Sequence, residues 1–277
     1  MEFGVIASCL ADYSWKDSLD AAWRLGCEAI ELDTRPTAHH STWSPDRDPE
    51  VALAELNDLG LRVGAVVSFA DFLQEDDAAL EREVEEVRGI LDLAFRHRAE
   101  VVRLAPPQPK TSMSREAMLA AYQTGCGRVL EHAEQNGMLI CMHHDAELLG
   151  SPDALLRLVE DSGSYNLRVA LDVVELLRAL RDVDAVRDAV VRLVPHTAHV
   201  ILRDARLDCD TGELVEVPVG DGQCPVELVV SDLMSKGFFR PFYVGYYADG
   251  DVVQAVKQGI DYFRELPNRL LEEAGWL

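Results

Sequence analysis

The run His143-His144-Asp145 is the most reactive-looking cluster of the chain. A histidine beside a carboxylate can act as a general base, because its ordinary pKa lies near neutrality. His144 is the expected base or acid, oriented by Asp172 or Glu175. Successive strand residues face opposite sides, so His143 and His144 do not both point the same way. Asp172 stands inside the apolar run VALDVV and needs a partner there, with Arg203 or His144 as the candidates. Asp172 and Glu175 could share a proton, which would raise one pKa. Alternatively, Glu175 simply opens a helix, where an acid favours the dipole. Glu31 and Arg103 read either as substrate contacts or as a buried structural pair across neighbouring strands. Arg103 and Arg203 could hold an anionic or carbonyl group. His39 and His40 fall in a long Pro- and Ser-rich stretch, and Trp43, Phe69 and Phe72 could form an apolar wall or ordinary core.

These residues need a scaffold that brings distant segments together, and the hydrophobic pattern supplies one. Short β-branched runs alternate with segments of helical period, often with a Gly between them. The runs are Phe3–Ser8, Ala29–Asp33, RVGAVVSF, Val101–Pro107, MLICMHH, RVALDVV, AHVILRD and FYVGYY. Between them, helices are expected at Asp17–Leu25, Pro49–Leu59, a segment around Leu80–Phe95, Arg115–Gln135, Pro152–Asp161, Val183–Leu193, Val226–Ser235 and Val252–Leu266. Leu19, Ala22 and Trp23 are expected on one buried face, as are Leu80, Val84, Val87, Leu91, Ala94 and Phe95. Strands this apolar are buried on both faces, as in a parallel sheet. Eight strands alternating with eight helices predict a single α/β domain over residues 1–277, a closed (β/α)8 TIM barrel. No GxGxxG or GxxxxGK[ST] opens any helix, which argues against a doubly wound nucleotide-binding sheet. In a barrel the polar residues at the strand C-termini converge on one rim: Glu31, Asp33, Arg103, His143, His144, Asp145, Asp172, Glu175, Arg203, Asp204, Tyr246 and Tyr247.

Charge narrows the partners. The chain has 277 residues and a formal net charge of −23 at pH 7. It has no basic run to engage phosphates, so neither nucleic acid nor an anionic membrane is expected as a partner. A small-molecule substrate is, and self-association into a homo-oligomer stays open. No apolar run approaches a membrane-spanning length, and the acidic start MEFGVIASCLADYSW does not read as a secretory leader. The six cysteines form no CxxC and read as buried thiols in a reducing, cytoplasmic setting.

Four segments carry a resemblance. AAWRLGCEAIELD, VALDVVEL, HVILRDAR and VPVGDGQCPVELVVSDLMSKGF, in that order, are similar to the xylose-isomerase-like sugar-phosphate isomerase/epimerase barrels. The resemblance runs over nearly the whole chain. It implies a divalent metal held by a Glu, an Asp, a His and a Glu on strands five to eight, with the two glutamates as the acid/base pair. On this sequence those positions fall at Met142, Asp172, Ile201 and Gly245, so only Asp172 matches. With most ligands gone, neither a bound family-type metal nor another cofactor is expected. Met142, Ile201 and Tyr246, with Glu31, Arg103 and Arg203, are then expected to line a more apolar substrate pocket, and His144, Asp172 and Glu175 to carry metal-independent isomerase, epimerase or lyase chemistry. Two alternatives remain open here: a non-catalytic ligand-binding or partner subunit, and a shifted metal site on His144, Asp172 and Glu175.

Overall fold

The computed structural model describes residues 1–34, 48–208 and 210–273. Eight parallel strands close into a ring: β1 (Phe3–Ile6), β2 (Ala29–Asp33), β3 (Arg62–Ser68), β4 (Val101–Leu104), β5 (Leu139–His143), β6 (Leu167–Asp172), β7 (Thr197–Leu202) and β10 (Phe242–Val244). Sequence neighbours pair around the ring, and β10 closes it against β1, with Phe3 opposite Phe242 and Val5 opposite Val244. Helices α1 (Trp15–Arg24), α2 (Pro49–Asp58), α3 (Asp77–Arg96), α4 (Arg115–Gln135), α5 (Pro152–Ser162), α6 (Val173–Leu180), α7 (Val183–Leu193), α8 (Val226–Ser235) and α9 (Val252–Glu273) connect the strands. The expected alternation is therefore present.

Two features depart from the expectation. Two helices, α6 and α7, separate β6 from β7, and α6 begins directly at the end of its strand. An antiparallel hairpin, β8 (Asp204–Leu207) and β9 (Leu214–Val217), follows β7. Its turn is marked in the sequence by Thr211-Gly212, and Gly212 adopts φ +69, which suits glycine. Trp23 and Phe95 also differ from expectation. Both are 55% exposed, while the other predicted face residues of α1 and α3 are buried.

The apolar residues divide into two cores. Outward-facing strand residues such as Ile30, Val102, Met142 and Leu171 pack with the helices in the large outer core. A narrow inner core fills the ring with Ala29, Ala65, Val101, Leu139, Cys141, Ala170, Ala198, Ile201 and Tyr243. Alternation along each strand then carries polar residues up the inside: Ala29, Glu31 and Asp33 on β2, Val101 and Arg103 on β4, Leu139, Cys141 and His143 on β5, and Ala170 and Asp172 on β6. Bulges interrupt the alternation at Gly64 on β3 and Ala198 on β7. The second re-aims His199 inward, where its ring stacks on Tyr243 at 4.5 Å. Gly64 makes room for that tyrosine, since a Cβ there would stand 2.0 Å from the Tyr243 hydroxyl.

Candidate active site at the barrel mouth

Inside the ring, the polar residues form two connected layers. In the deeper one, Arg103 grips Glu31 with two hydrogen bonds, Nε to Oε2 at 2.8 Å and Nη2 to Oε1 at 2.6 Å. His199 Nε2 lies 2.8 Å from the same carboxylate. Burial alone would raise the Glu31 carboxyl, but the Arg103 guanidinium outweighs it and holds the group well below its ordinary value. Of the two sequence readings for Glu31 and Arg103, the geometry matches the buried pair, but the strands that carry it, β2 and β4, are not neighbours: β3 lies between them, and the two side chains meet across the ring interior.

The upper layer centres on Arg203, which follows β7. Its Nε and Nη2 donate to Asp172 Oδ2 at 3.0 and 2.7 Å. Nη2 also donates to Glu175 Oε1, and Nη1 to Glu216 Oε2, both at 3.0 Å. Three carboxylates therefore surround one guanidinium. Asp172 serves two masters: its Oδ1 caps α6 by accepting from Val174 N at 3.0 Å, while Oδ2 holds Arg203. Burial would raise Asp172, yet Arg203, and after it His143, keep it ionised well below the ordinary range. Glu175 and Glu216 go the other way. Burial raises both, Arg203 opposes, and the neighbouring Asp172 charge raises each further.

His143 bridges the layers. Its Nδ1 is 2.9 Å from Arg103 Nη1, and its Nε2 is 3.4 Å from Asp172 Oδ2. A guanidinium only donates, so Nδ1 accepts and the ring proton sits on Nε2, toward Asp172. Burial pushes this imidazole down to about 3, so it is neutral at pH 7. His144 has a different task. Its Nε2 accepts the Asp172 backbone N–H at 3.1 Å, and burial lowers it to about 4. The structure thus puts His143, not His144, among the charged groups. Met142, where the resemblance puts the strand-five ligand, faces outward, and a one-residue offset exchanges faces on a strand.

The other predicted residues divide similarly. Met142 packs in the outer core, away from the ring interior, and Ile201 lies in the inner core. Tyr246 is half-buried, and its hydroxyl donates to the Asp249 carbonyl at 3.3 Å. Tyr247 takes the place at the mouth: its ring lies 5.2 Å from the Arg203 guanidinium carbon, its hydroxyl is 3.0 Å from Ser8 Oγ, and it is 47% exposed. Glu216 was not foreseen. It arrives on β9, and its Oε1 accepts the Tyr247 backbone N–H at 2.9 Å. Phe72 is buried core against Tyr122. His39, His40 and Trp43 lie outside the described residues.

A divalent metal of the kind the resemblance implies does not fit this donor set. The inward rim positions on β5, β6, β7 and after β10 carry His143, Asp172, Ile201 and Gly245. The one retained carboxylate, Asp172, already has Arg203 on Oδ2 and α6 on Oδ1. A Cβ on Gly245 would meet Ile6 Cδ1 at 3.0 Å, Cys9 Sγ at 3.4 Å and Arg203 Cγ at 3.6 Å. His144 turns its nitrogen to the Asp172 backbone, so it does not join Asp172 and Glu175 as a shifted ligand set. Among the described residues no group of three His, Cys, Asp or Glu side chains is arranged to hold a metal ion.

Asp204, next along the chain, has a structural post. Its carboxylate accepts backbone N–H groups from Ala205, Gly220, Gly222 and Cys224 at 2.8–3.1 Å, closing the Pro218–Cys224 loop beneath the hairpin.

Comparison with solved structures returns the same fold. A xylose isomerase-like TIM barrel protein from Mycobacterium smegmatis, solved in complex with magnesium, superposes with a TM-score of 0.77 at 15% identity, covering 96% of each chain. A D-tagatose 3-epimerase-like protein gives 0.78 at 18% identity, over 99% of this chain and 100% of that one. The probable 3-DHS dehydratase AsbF from Bacillus anthracis, involved in petrobactin synthesis, gives 0.76 at 17% identity, over 95% and 98%. No curated protein matches the sequence. The family model described as xylose isomerase-like TIM barrel matches residues 19–266. With that match spanning most of its length, the chain belongs to the xylose isomerase-like TIM barrel family.

Proposed function

We propose that this chain is an enzyme of the isomerase, epimerase or lyase type that moves a proton on a small polar carbonyl or hydroxy compound at the barrel mouth, without a bound metal or other cofactor. The observation that carries the reading is the guanidinium of Arg203 held by Asp172, Glu175 and Glu216. A fixed positive charge at this position can stabilise an oxyanion as it develops on the substrate. Four of the five Arg203 N–H groups are used by these carboxylates, and the fifth, on Nη1, has no partner among the described residues.

Glu175 is the proton-transferring group in this reading. It is partly exposed, it sits at the start of α6, and its raised pKa brings it nearer the working range of a general base. It takes a proton from the carbon beside the carbonyl while the carbonyl oxygen gains charge against Arg203; returning the proton to a different position completes the turnover. Asp172 positions Arg203, and His144 positions Asp172 through its backbone. Tyr247 and Ser8 offer hydroxyl contacts to the substrate. Neighbours in the family include proteins named for epimerase and dehydratase activity, which supports proton chemistry of this class.

The test is deuterium exchange at carbon in D2O, followed by NMR over a panel of keto and aldo sugars and hydroxy-keto acids. Glu175→Gln is expected to lower exchange by roughly 10²–10⁴-fold. The wild-type rate should rise with pH through the elevated Glu175 pKa, since the base must be ionised. Exchange that survives Glu175→Gln unchanged defeats this assignment.

One observation favours a second reading, binding without turnover. Both His143 nitrogens and both carboxylate oxygens of Glu31 are engaged within the protein, which leaves few idle groups for catalysis. A compound that binds tightly and is recovered unchanged, with no exchange at carbon, would support it. In either reading the partner is a small molecule, and neither nucleic acid nor a membrane is engaged. No helix among the described residues is long and apolar enough to cross a membrane. The five described cysteines are free and buried, which suits a reducing cytoplasm.

A further inference from the structure

We infer that the foot of the barrel, the end opposite the mouth where helices turn into strands, is a docking surface for an acidic segment of another protein that also carries apolar side chains. The inference concerns a second face of the molecule and does not rest on the reaction proposed above.

Charge reverses along the barrel axis. Over the whole chain acidic residues outnumber basic ones, 49 to 26. In the turns from the last residue of a helix to the first of its strand the order is the opposite. There Arg24, Arg62, Arg96, Arg98, Lys236 and Arg240 stand against Glu28, Asp58 and Glu100. At the mouth, Asp71, Glu75, Asp76, Asp145, Asp249 and Asp251 keep the surface acidic.

Large apolar side chains are exposed at the same basic end. Tyr165 is 73% and Phe239 72% exposed, in the turns into β6 and β10. Each ring carries a guanidinium on its face. The Arg168 guanidinium carbon lies 4.8 Å from the Tyr165 ring centre, and that of Arg240 lies 4.7 Å from the Phe239 ring centre. Phe95, at the end of α3, is a third exposed ring. With Ala99 and Met138 it lines a cleft of about 500 Å3 bordered by Arg96 and Arg98. Contacts join these stations. Asn166 donates to the Met138 carbonyl and Arg168 to the Pro195 carbonyl, both at 2.7 Å, while Arg240 Nε lies 3.4 Å from Glu100 Oε2. The turns into β4, β5, β6, β7 and β10 are thereby linked.

Arg98 is the sharpest sign. Just past the helix, five of these turns place Gly26, Gly60, Gly137, Gly163 and Gly237 at φ +64 to +76, and the turn after α3 places Arg98 at φ +57. A side chain is strained in that conformation. Nothing within the fold offsets the strain through its charge, because neither Arg96 nor Arg98 makes an ion pair or side-chain hydrogen bond among the described residues.

The chemistry selects the occupant. An arginine fork pairs with carboxylates through two N–H groups. Arginine and aromatic side chains dominate the centres of protein interfaces, and the cleft admits an apolar side chain. A second copy fits less well. Foot against foot sets like charges together, and foot against mouth covers the neighbour's site and grows an open chain. A nucleic acid would have to approach a chain of net charge −23.

The experiment uses the full chain and a fluorescein-labelled synthetic peptide of sequence EDLEEFDE, followed by fluorescence anisotropy at low salt. Saturable binding is expected, roughly tenfold tighter than that of EDSEESDE, which lacks the apolar side chains. KKLKKFKK should not bind, and added salt should weaken the association. Arg96→Ser with Arg98→Gly should weaken it about tenfold, and Tyr165→Ser with Phe239→Ser by a similar factor. The Tm of Arg98→Gly should hold or rise, because glycine suits that turn, so lost binding there reports the surface and not the fold. No saturable binding of EDLEEFDE, or binding untouched by these substitutions, overturns the inference. So does light scattering that shows a wild-type dimer dissolved by Tyr165→Ser with Phe239→Ser, which would give the face to a second copy. A labelled oligodeoxythymidylate that binds the wild type more tightly than the peptide, and loses that binding in Arg96→Ser with Arg98→Gly, overturns it as well.

Discussion

The two charged layers inside the barrel differ in how their charges balance. In the lower layer a single guanidinium, Arg103, meets a single carboxylate, Glu31, through two parallel hydrogen bonds. In the upper layer a single guanidinium meets three carboxylates. The matched pair is fully enclosed and keeps its acid strongly ionised. The mismatched cluster leaves two acids less ionisable than usual, next to an opening where Tyr247 is half exposed. A balanced buried pair behaves as a strut, whereas an unbalanced one retains groups whose protons can move.

The largest expected effect breaks the strut. Arg103→Met should destabilise the fold by about 3–5 kcal/mol, because it strands a buried Glu31 charge. The double variant Glu31→Leu/Arg103→Met should recover most of that loss, since apolar groups of similar volume need no partner. Urea unfolding of the three proteins decides it. A double variant no better than the single would mean that the pair is more than mutual compensation.

A smaller effect separates the two histidines. His144→Leu removes the acceptor of the buried Asp172 N–H and should cost about 1–3 kcal/mol. If His144 only supports Asp172, the loss appears in unfolding midpoints and the pH–rate profile keeps its shape. A changed profile would restore His144 to the chemistry itself.

The smallest effect sharpens the contrast through pH. Glu31 is held below its unfolded value, so its stabilising contribution is present above the unfolded pKa, about 4.3, and is lost as pH falls through the folded one. Glu216 is raised, so the folded state binds its proton more tightly than the unfolded chain does. Its contribution is favourable at low pH and declines as pH rises from the unfolded pKa through the folded one. The Tm advantage of wild type over Glu31→Gln should grow from pH 3 to pH 5, and that over Glu216→Gln should shrink from pH 4 upward. Parallel slopes for the two variants would erase the distinction drawn between the layers.

Much of this was legible in the sequence, for physical reasons. Short apolar, β-branched runs and glycine-ended helices made the barrel legible, because burial on both faces of a strand leaves a strong apolar signal. Asp172, Arg103 and Arg203 stood out because charges in or at the end of apolar strands demand partners, and Glu175 because it follows Asp172 at the start of a helix. What failed on β5 was a matter of a single residue. His143 and His144 are adjacent and alike, and only the register of β5, with Leu139 and Cys141 inside, tells which one faces the ring. Met142 was taken into the site by the same one-residue offset. Glu216 escaped because it lies on a four-residue strand too short to stand out from its surroundings, although the Thr211-Gly212 turn before it was a usable signal.

Asp172 divides its two oxygens between a helix and a guanidinium. Whatever enters the mouth and tugs on Arg203 must also tug, through that one carboxyl group, on the opening turn of α6. The helix thereby becomes a lever whose short arm reaches the barrel mouth, and Glu175, on its first turn, travels with the stroke.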